Sequence, residues 1–226
     1  LVAFITLFNV VCSFAEHFIS FYITVSVYQL SKIFVNGYTY NHSLNQFLGD
    51  KYAKQTPFRA GKGWLYEGGI REPLIIKWKD KVSPGTISEA LISSVDFLPT
   101  FLEMAGGNKT PENIDGKSFL PVLENNQVEN HNSLFWHYPH YHGGSGMIPA
   151  GAVRSGKYKL IEWYEPKLLN TGNSVELFDL NEDQGETINL SEQLPEKAAE
   201  LREMLNNWRI EVDAQMPTIN KNATPN

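Results

Sequence analysis

Lys62 lies between Gly61 and Gly63 in the stretch Phe58 to Pro73, which packs four glycines and five charged residues into sixteen positions. Glycine at that density lets backbone approach a ligand closely or turn through positive φ. An ammonium between two glycines is a cation with little crowding around it, suited to an anionic substrate. At a reacting centre it would neutralise charge gathering on the substrate's oxygens. Its neighbours have other expected tasks. Glu67 and Arg71 read as loop-fixing residues, Glu67 by accepting hydrogen bonds from backbone, and Arg59 reads as a solvated arginine, with assistance to an anion as the alternative. Further along, His137, His140 and His142 form an H-x-x-H-x-H pattern. It has three readings: a metal cluster, although the Tyr, Pro and Gly flanks add no cysteine or carboxylate; a substrate contact through His140; or plain loop polarity. Cys12 is the single cysteine, so no internal disulfide framework exists.

The elements that must position these groups can be read from periodicity. Leu74 to Trp78 is a short apolar run that reads as a buried strand. Lys62 therefore sits on a loop feeding a sheet, where α/β enzymes keep their sites. Asp96 reads as the N-cap of a helix with Pro99 in its first turn. Phe97, Leu98, Phe101, Leu102 and Ala105 follow helical spacing, and Gly106-Gly107 ends the helix. A helical turn is expected around Phe119 to Leu123. Strands are expected at Leu134–Tyr138, at Ala152–Val153 with Tyr158–Tyr164, and at Val175–Leu180, separated by Gly, Pro and Asn clusters. Pro195 then opens a helix whose stripe is Ala198, Leu201, Leu205, Trp208 and Val212. Strands followed by one amphipathic helix predict a small antiparallel sheet packed on that helix.

The lysine stretch resembles the second signature of the sulfatase family, the arylsulfatase-like branch of the alkaline phosphatase superfamily. That signature is close to G-K-x-x-x-x-E-G-G, which Gly61-Lys62 and Glu67-Gly68-Gly69 fit. Ser94 to Thr100 is similar to the family's S-x-D-x-x-P-T helix start, and Asp115 to Leu123 to its D-G-x-S-x-x-P-x-L segment. Leu134 to Pro139 and Arg154 to Leu160 resemble its late strands. Glu176-Leu177-Phe178-Asp179-Leu180 with Asp183, Glu186, Asn189 and Leu190 resembles its E-L-Y-D-L-x-x-D-P-x-E-x-x-N-L tail, with Gln184-Gly185 where the family has Pro-x. Six motifs in the family's order run through residues 57–213.

The resemblance implies an α/β fold: a partial alkaline-phosphatase-like core over residues 36–133, then a small C-terminal α+β subdomain over 134–216 and a tail at 217–226. It implies hydrolysis of a sulfate monoester to an alcohol and inorganic sulfate, with Lys62 on the sulfate, a formylglycine nucleophile and a calcium ion. The nucleophile needs C-x-P-x-R or S-x-P-x-R, and neither occurs in these 226 residues. Nor does the family's Asp-Asp pair or its lysine–histidine segment. Asn36 is either a surviving amide ligand for calcium or the start of the turn that Asn-Gly favours. Val35 stands where a carboxylate ligand belongs, and calcium prefers hard charged oxygen. The chain is thus expected to be inactive by itself and not to bind calcium. The alternative is a non-catalytic module, or pseudoenzyme, that binds sulfated glycans; a phosphomonoesterase or phosphonate hydrolase of the same superfamily ranks below it.

A hydrophobic share of 42%, a charged share of 19% and a net charge of −6 describe a globular protein and exclude a nucleic-acid partner. The partner implied is a sulfated small molecule or glycan. Residues 1–35 differ from the rest, with Glu16 and Lys32 as their only charges. Leu1 to Phe14 and Phe18 to Leu30 are apolar runs parted by Glu16-His17. A degraded signal sequence, a misjoined reading frame and a membrane span compete there. No membrane partner is expected, and the family implies a secreted or periplasmic location.

Overall fold

The structure, a computed structural model, describes residues 8–12, 19–25, 57–107, 113–124 and 128–220. Asn36 and most of the 1–35 segment lie outside the described residues. The chain divides into two compact units, one spanning Leu1–Gly37 with Glu72–Asn132 and the other Tyr38–Arg71 with Ser133–Asn226.

In the first unit, strands β1 (Phe8–Cys12), β2 (Ile19–Val25) and β3 (Leu74–Lys77) form an antiparallel sheet in that order. The expectation of a fully buried strand at β3 is corrected. Leu74 and Ile76 are half-buried, while Ile75 is 60% exposed. An edge strand with one covered face alternates in this way. Helix α1 is the single turn Glu67–Ile70 of the second unit. Helix α2 (Phe97–Met104) follows a 3-10 turn at Ser94–Asp96. It ends in a Schellman motif: Gly107 N–H donates to Leu102 O at 2.9 Å, Gly106 N–H donates to Glu103 O at 2.9 Å, and Gly106 has φ of 77°. Helix α3 is Leu120–Glu124.

Asp96 does not cap α2 with its side chain. It is wholly buried and gathers other donors: Ser93 N–H at 2.7 Å, Lys117 N–H at 2.8 Å, and the Asn130 amide at 3.3 Å. His131 Nε2 sits 2.9 Å from it. Thr100 Oγ1 donates to Asp96 O at 2.6 Å and accepts from Phe119 N–H at 3.0 Å. A Cβ on Gly116 would lie 2.0 Å from Val95 O, so only glycine fits there. Asp96 and Thr100 thus hold the backbone of residues 117–119 against the start of α2.

The second unit is built on an antiparallel meander of β4 (Ser133–Tyr138), β5 (Ala150–Ser155), β6 (Tyr158–Trp163) and β7 (Val175–Asp179). Helix α4 (Tyr164–Leu169) links β6 to β7, and α5 (Pro195–Glu211) closes the chain. Alternation along the strands gives the sheet two buried faces. Val153, Leu160 and Leu177 pack with Ala198, Leu201 and Leu205 of α5. Trp208 stacks on Phe135 with ring centroids 5.1 Å apart. Val212, assigned to the same stripe, lies past the last helical residue and is half exposed. The opposite face, Ala150, Ala152, Ile161, Trp163 and Phe178, is covered by Leu65 and Tyr66 from the lysine stretch, with Trp64 packed against them.

Each face also carries a charge. Glu162 meets Arg209 Nη1 (2.6 Å) and Arg202 Nε (2.7 Å) of α5 and Lys167 Nζ (3.0 Å) of α4. Burial alone would raise this carboxyl, but those three donors outweigh burial and hold it below its ordinary value. Tyr164, over which the Arg209 guanidinium lies at 5.0 Å, is pushed up to about 12, chiefly by burial. No helix among the described residues is long and apolar enough to cross a membrane.

Candidate functional site

The lysine stretch folds back on itself. Trp64 N–H donates to Gly61 O at 3.1 Å and Gly68 N–H to Arg59 O at 3.0 Å. Ala60 and Gly63 take positive φ, 57° and 91°. The Gly68-Gly69 pair is a steric requirement: a Cβ would lie 2.4 Å from Arg59 O at the first position and 2.0 Å from Trp64 O at the second. Trp64 and Tyr66 stack at 5.8 Å, and Trp163 meets Tyr66 at 5.9 Å. Tyr66 donates to Glu176 Oε2 at 2.7 Å. Burial pushes the Tyr66 phenol far above its ordinary value, and Glu176 beside it adds to the rise.

Beneath the stretch lies an ionic cluster. Glu67 is buried, with Lys159 Nζ of β6 at 3.1 Å, Arg154 Nη1 of β5 at 3.5 Å and Arg71 Nη1 at 3.7 Å. Glu186 is also buried and accepts Glu67 N–H at 2.6 Å. Its other oxygen forms an ion pair with Lys159 at 2.8 Å. Burial raises the Glu186 carboxyl despite that lysine. Glu67 and Arg71 therefore fix the loop, but the Glu67 carboxylate does so on the side chains of Lys159, Arg154 and Arg71 rather than by accepting backbone N–H groups as expected. Arg59 departs from expectation. It donates to Glu186 O at 2.8 Å and lies 3.9 Å over the Tyr66 ring, so it is a structural clamp rather than a solvated side chain.

Lys62 stands apart from all of this. It is exposed, and its ammonium makes no hydrogen bond or ion pair with a described residue. The three histidines go to three different places. His137 Nε2 donates to Gln215 O at 2.9 Å and its Nδ1 accepts from Tyr164 Oη at 2.7 Å, which makes it structural. His140 is exposed, edge-on to Tyr138 at 5.7 Å. His142 begins a turn that closes at Met147 and rests on the lysine loop. A Cβ on Gly63 would lie 2.9 Å from the His142 ring, and Ser145 Oγ donates to Gly63 O at 3.1 Å.

Sequence reasoning gave a substrate contact to His140, held His142 only within the metal reading, and assigned no role to Ser145, Lys159 or Glu186. A signal existed for Lys159 and Glu162, which are lone charges on opposite faces of an otherwise apolar strand. None existed for Ser145. Among the described residues, no group of three or more His, Cys, Asp or Glu side chains could hold a metal ion.

Comparison with known proteins agrees with this arrangement. The family model for the C-terminal part of N-sulphoglucosamine sulphohydrolase matches residues 60–213. A sulfatase of Formosa agariphila is 36% identical over 176 residues, 70% of this chain and 30% of that protein. Arylsulfatase A of Bos taurus is 32% identical over 158 residues, 63% of this chain and 30% of that protein. A solved structure of a protein in complex with its substrate D-glucosamine-2-N,6-O-disulfate is 30% identical, with a TM-score of 0.55 over 65% of this chain and 30% of that one. The chain thus spans about a third or less of the length of each relative. Because the matched region takes in both the lysine loop and the sheet that supports it, the chain belongs to the sulfatase family, of which it carries the C-terminal portion with its mixed helix and antiparallel-sheet architecture.

Proposed function

We propose that the Lys62 loop binds the sulfo group of a sulfate monoester, a sulfated small molecule or glycan, as part of a sulfatase that releases the alcohol and inorganic sulfate. One observation carries this reading. Three cations lie on the stretch; Arg59 and Arg71 are committed to carboxylates or carbonyls, and Lys62 alone is left uncommitted to any described residue. A flexible ammonium on a rigid, glycine-built platform can follow an anion without losing its anchor. Its contribution is neutralisation of charge on the sulfo oxygens as the S–O bond breaks. That the nearby relative of solved structure takes a disulfated glucosamine supports a sulfated sugar as the substrate class. When present in the family, the formylglycine nucleophile and calcium supply the attack and the charge stabilisation. These residues hold no C-x-P-x-R or S-x-P-x-R. By itself the chain therefore turns over no ester.

The test has two arms. The isotope-labelled chain, titrated with sodium sulfate, should show saturable shifts of the Lys62 ammonium and the amides of residues 60–64, lost in Lys62→Ala. With a chromogenic aryl sulfate and calcium, the rate should equal that of the Lys62→Ala control. Absence of any sulfate response at Lys62 sinks the binding reading, and turnover above the control sinks the claim of inactivity.

A further inference from the structure

The turn from His142 to Met147 touches the lysine loop at Gly63. Three observations fix its geometry. The Gly63 position, at φ 91°, leaves room for the imidazole where any other residue would put a Cβ 2.9 Å from it. Ser145 Oγ ties the turn to Gly63 O at 3.1 Å. Ser145 N–H donates to His142 Nδ1, also at 3.1 Å. A ring nitrogen that accepts a hydrogen bond is unprotonated, so the proton of the neutral imidazole is on Nε2. That Nε2–H has no hydrogen-bond partner among the described residues. The ring therefore lies against the residue next to Lys62, locked in one tautomer, with its donor unspent.

We infer that His142 is a second anion-contacting residue, whose Nε2–H donates to a sulfate oxygen beside the Lys62 ammonium, and that Ser145 is the positioning residue that sets its tautomer. The inference rests on the reading of Lys62 as a sulfate contact. A point charge and a directional donor divide the work: Lys62 supplies attraction that tolerates many orientations, and His142 supplies direction. This arrangement would let the C-terminal subdomain discriminate how the sulfo group is presented.

The chain labelled for imidazole nitrogen detection is titrated with sodium sulfate, and the His142 Nε2 and Lys62 ammonium signals are followed together. Both should move along one saturation curve. His142→Ala should bind sulfate about ten-fold more weakly, the scale of one hydrogen bond to a charged group. His142→Gln, whose amide nitrogen falls near the place of Nε2, should recover part of that loss, and His142→Asn, whose amide falls near Nδ1, should not. Ser145→Ala keeps the backbone N–H that holds the tautomer and loses the Oγ tie to Gly63 O, so sulfate binding should weaken while the Nε2 signal stays that of one tautomer. If Lys62 responds and His142 does not, or if His142→Ala binds as tightly as the parent, the inference is overturned while the Lys62 reading stands. If neither signal responds, both fall. Should His142→Ala fail to fold, the imidazole titration of the parent chain decides alone.

Discussion

Glu67 and Lys159 pair at 3.1 Å with both side chains out of water, one from the end of the lysine loop and the other from the middle of a strand. A buried ion pair is weak evidence for stability in itself, because desolvation cancels much of the attraction. Removing one partner is another matter. Lys159→Met would take from Glu186 its ion pair and from Glu67 the nearest of its three cations, leaving Arg154 and Arg71 on Glu67. The expected cost is about 3–5 kcal/mol, which calorimetry would read as a fall in Tm on the order of 10 °C for a unit of this size. A fall of only a degree or two would show that the cluster does not hold the loop.

The helix-facing cluster has a pH signature. Glu162 is held below its ordinary value of 4.5 by Arg209, Lys167 and Arg202. A carboxyl depressed in the folded state adds stability that is complete above its unfolded value and is lost as pH falls through the folded one. Thermal unfolding between pH 6 and pH 3, compared for the parent and Glu162→Gln, should converge as acid is added, with the parent losing more. Parallel curves across that range would contradict the three-cation anchoring of β6 to α4 and α5.

Gly69 offers a steric prediction. Its missing Cβ would sit 2.0 Å from Trp64 O and 2.7 Å from Gly61 O, both backbone atoms that cannot swing aside. Gly69→Ala must therefore open the turn that carries Lys62, costing about 1–3 kcal/mol and weakening the sulfate response although no charge has changed. Gly85, with positive φ but nothing within 4 Å, is the control: alanine there strains one backbone residue and leaves sulfate binding alone.

Much of this architecture was legible in the sequence because it rests on local rules. The late strands and the Pro195 helix follow from periodicity, and the Gly106-Gly107 stop from C-cap chemistry. The lysine loop was legible as a glycine-dense connector. What escaped was long-range pairing. Nothing local in Glu186 says that it accepts the amide of Glu67, 119 residues away. Arg59 looks solvated until Tyr66 and Glu186 are brought beside it. β3 read as buried because four apolar or long side chains in a row cannot reveal that the strand is an edge with one open face. The histidine pattern misled for the same reason: its spacing says nothing about which ring meets Gly63.

Arg59 and Lys62 are cations three residues apart on one loop, and their removal should give opposite results. Arg59 clamps Glu186 O at 2.8 Å and covers the Tyr66 ring at 3.9 Å. Arg59→Ala leaves a carbonyl acceptor and an aromatic face uncovered, so Tm should fall by several degrees, consistent with about 1–2 kcal/mol for one charged hydrogen bond and a cation–π contact. Sulfate binding should weaken only in proportion to the loosened loop. Lys62→Ala removes a side chain whose ammonium makes no hydrogen bond or ion pair with a described residue. Its Tm should stay within about 1–2 °C of the parent, while the response of residues 60–64 to sulfate disappears. Measuring melting and sulfate titration on both variants separates a platform cation from a ligand cation. A marked drop in Tm for Lys62→Ala, with sulfate binding preserved, would reverse the two assignments.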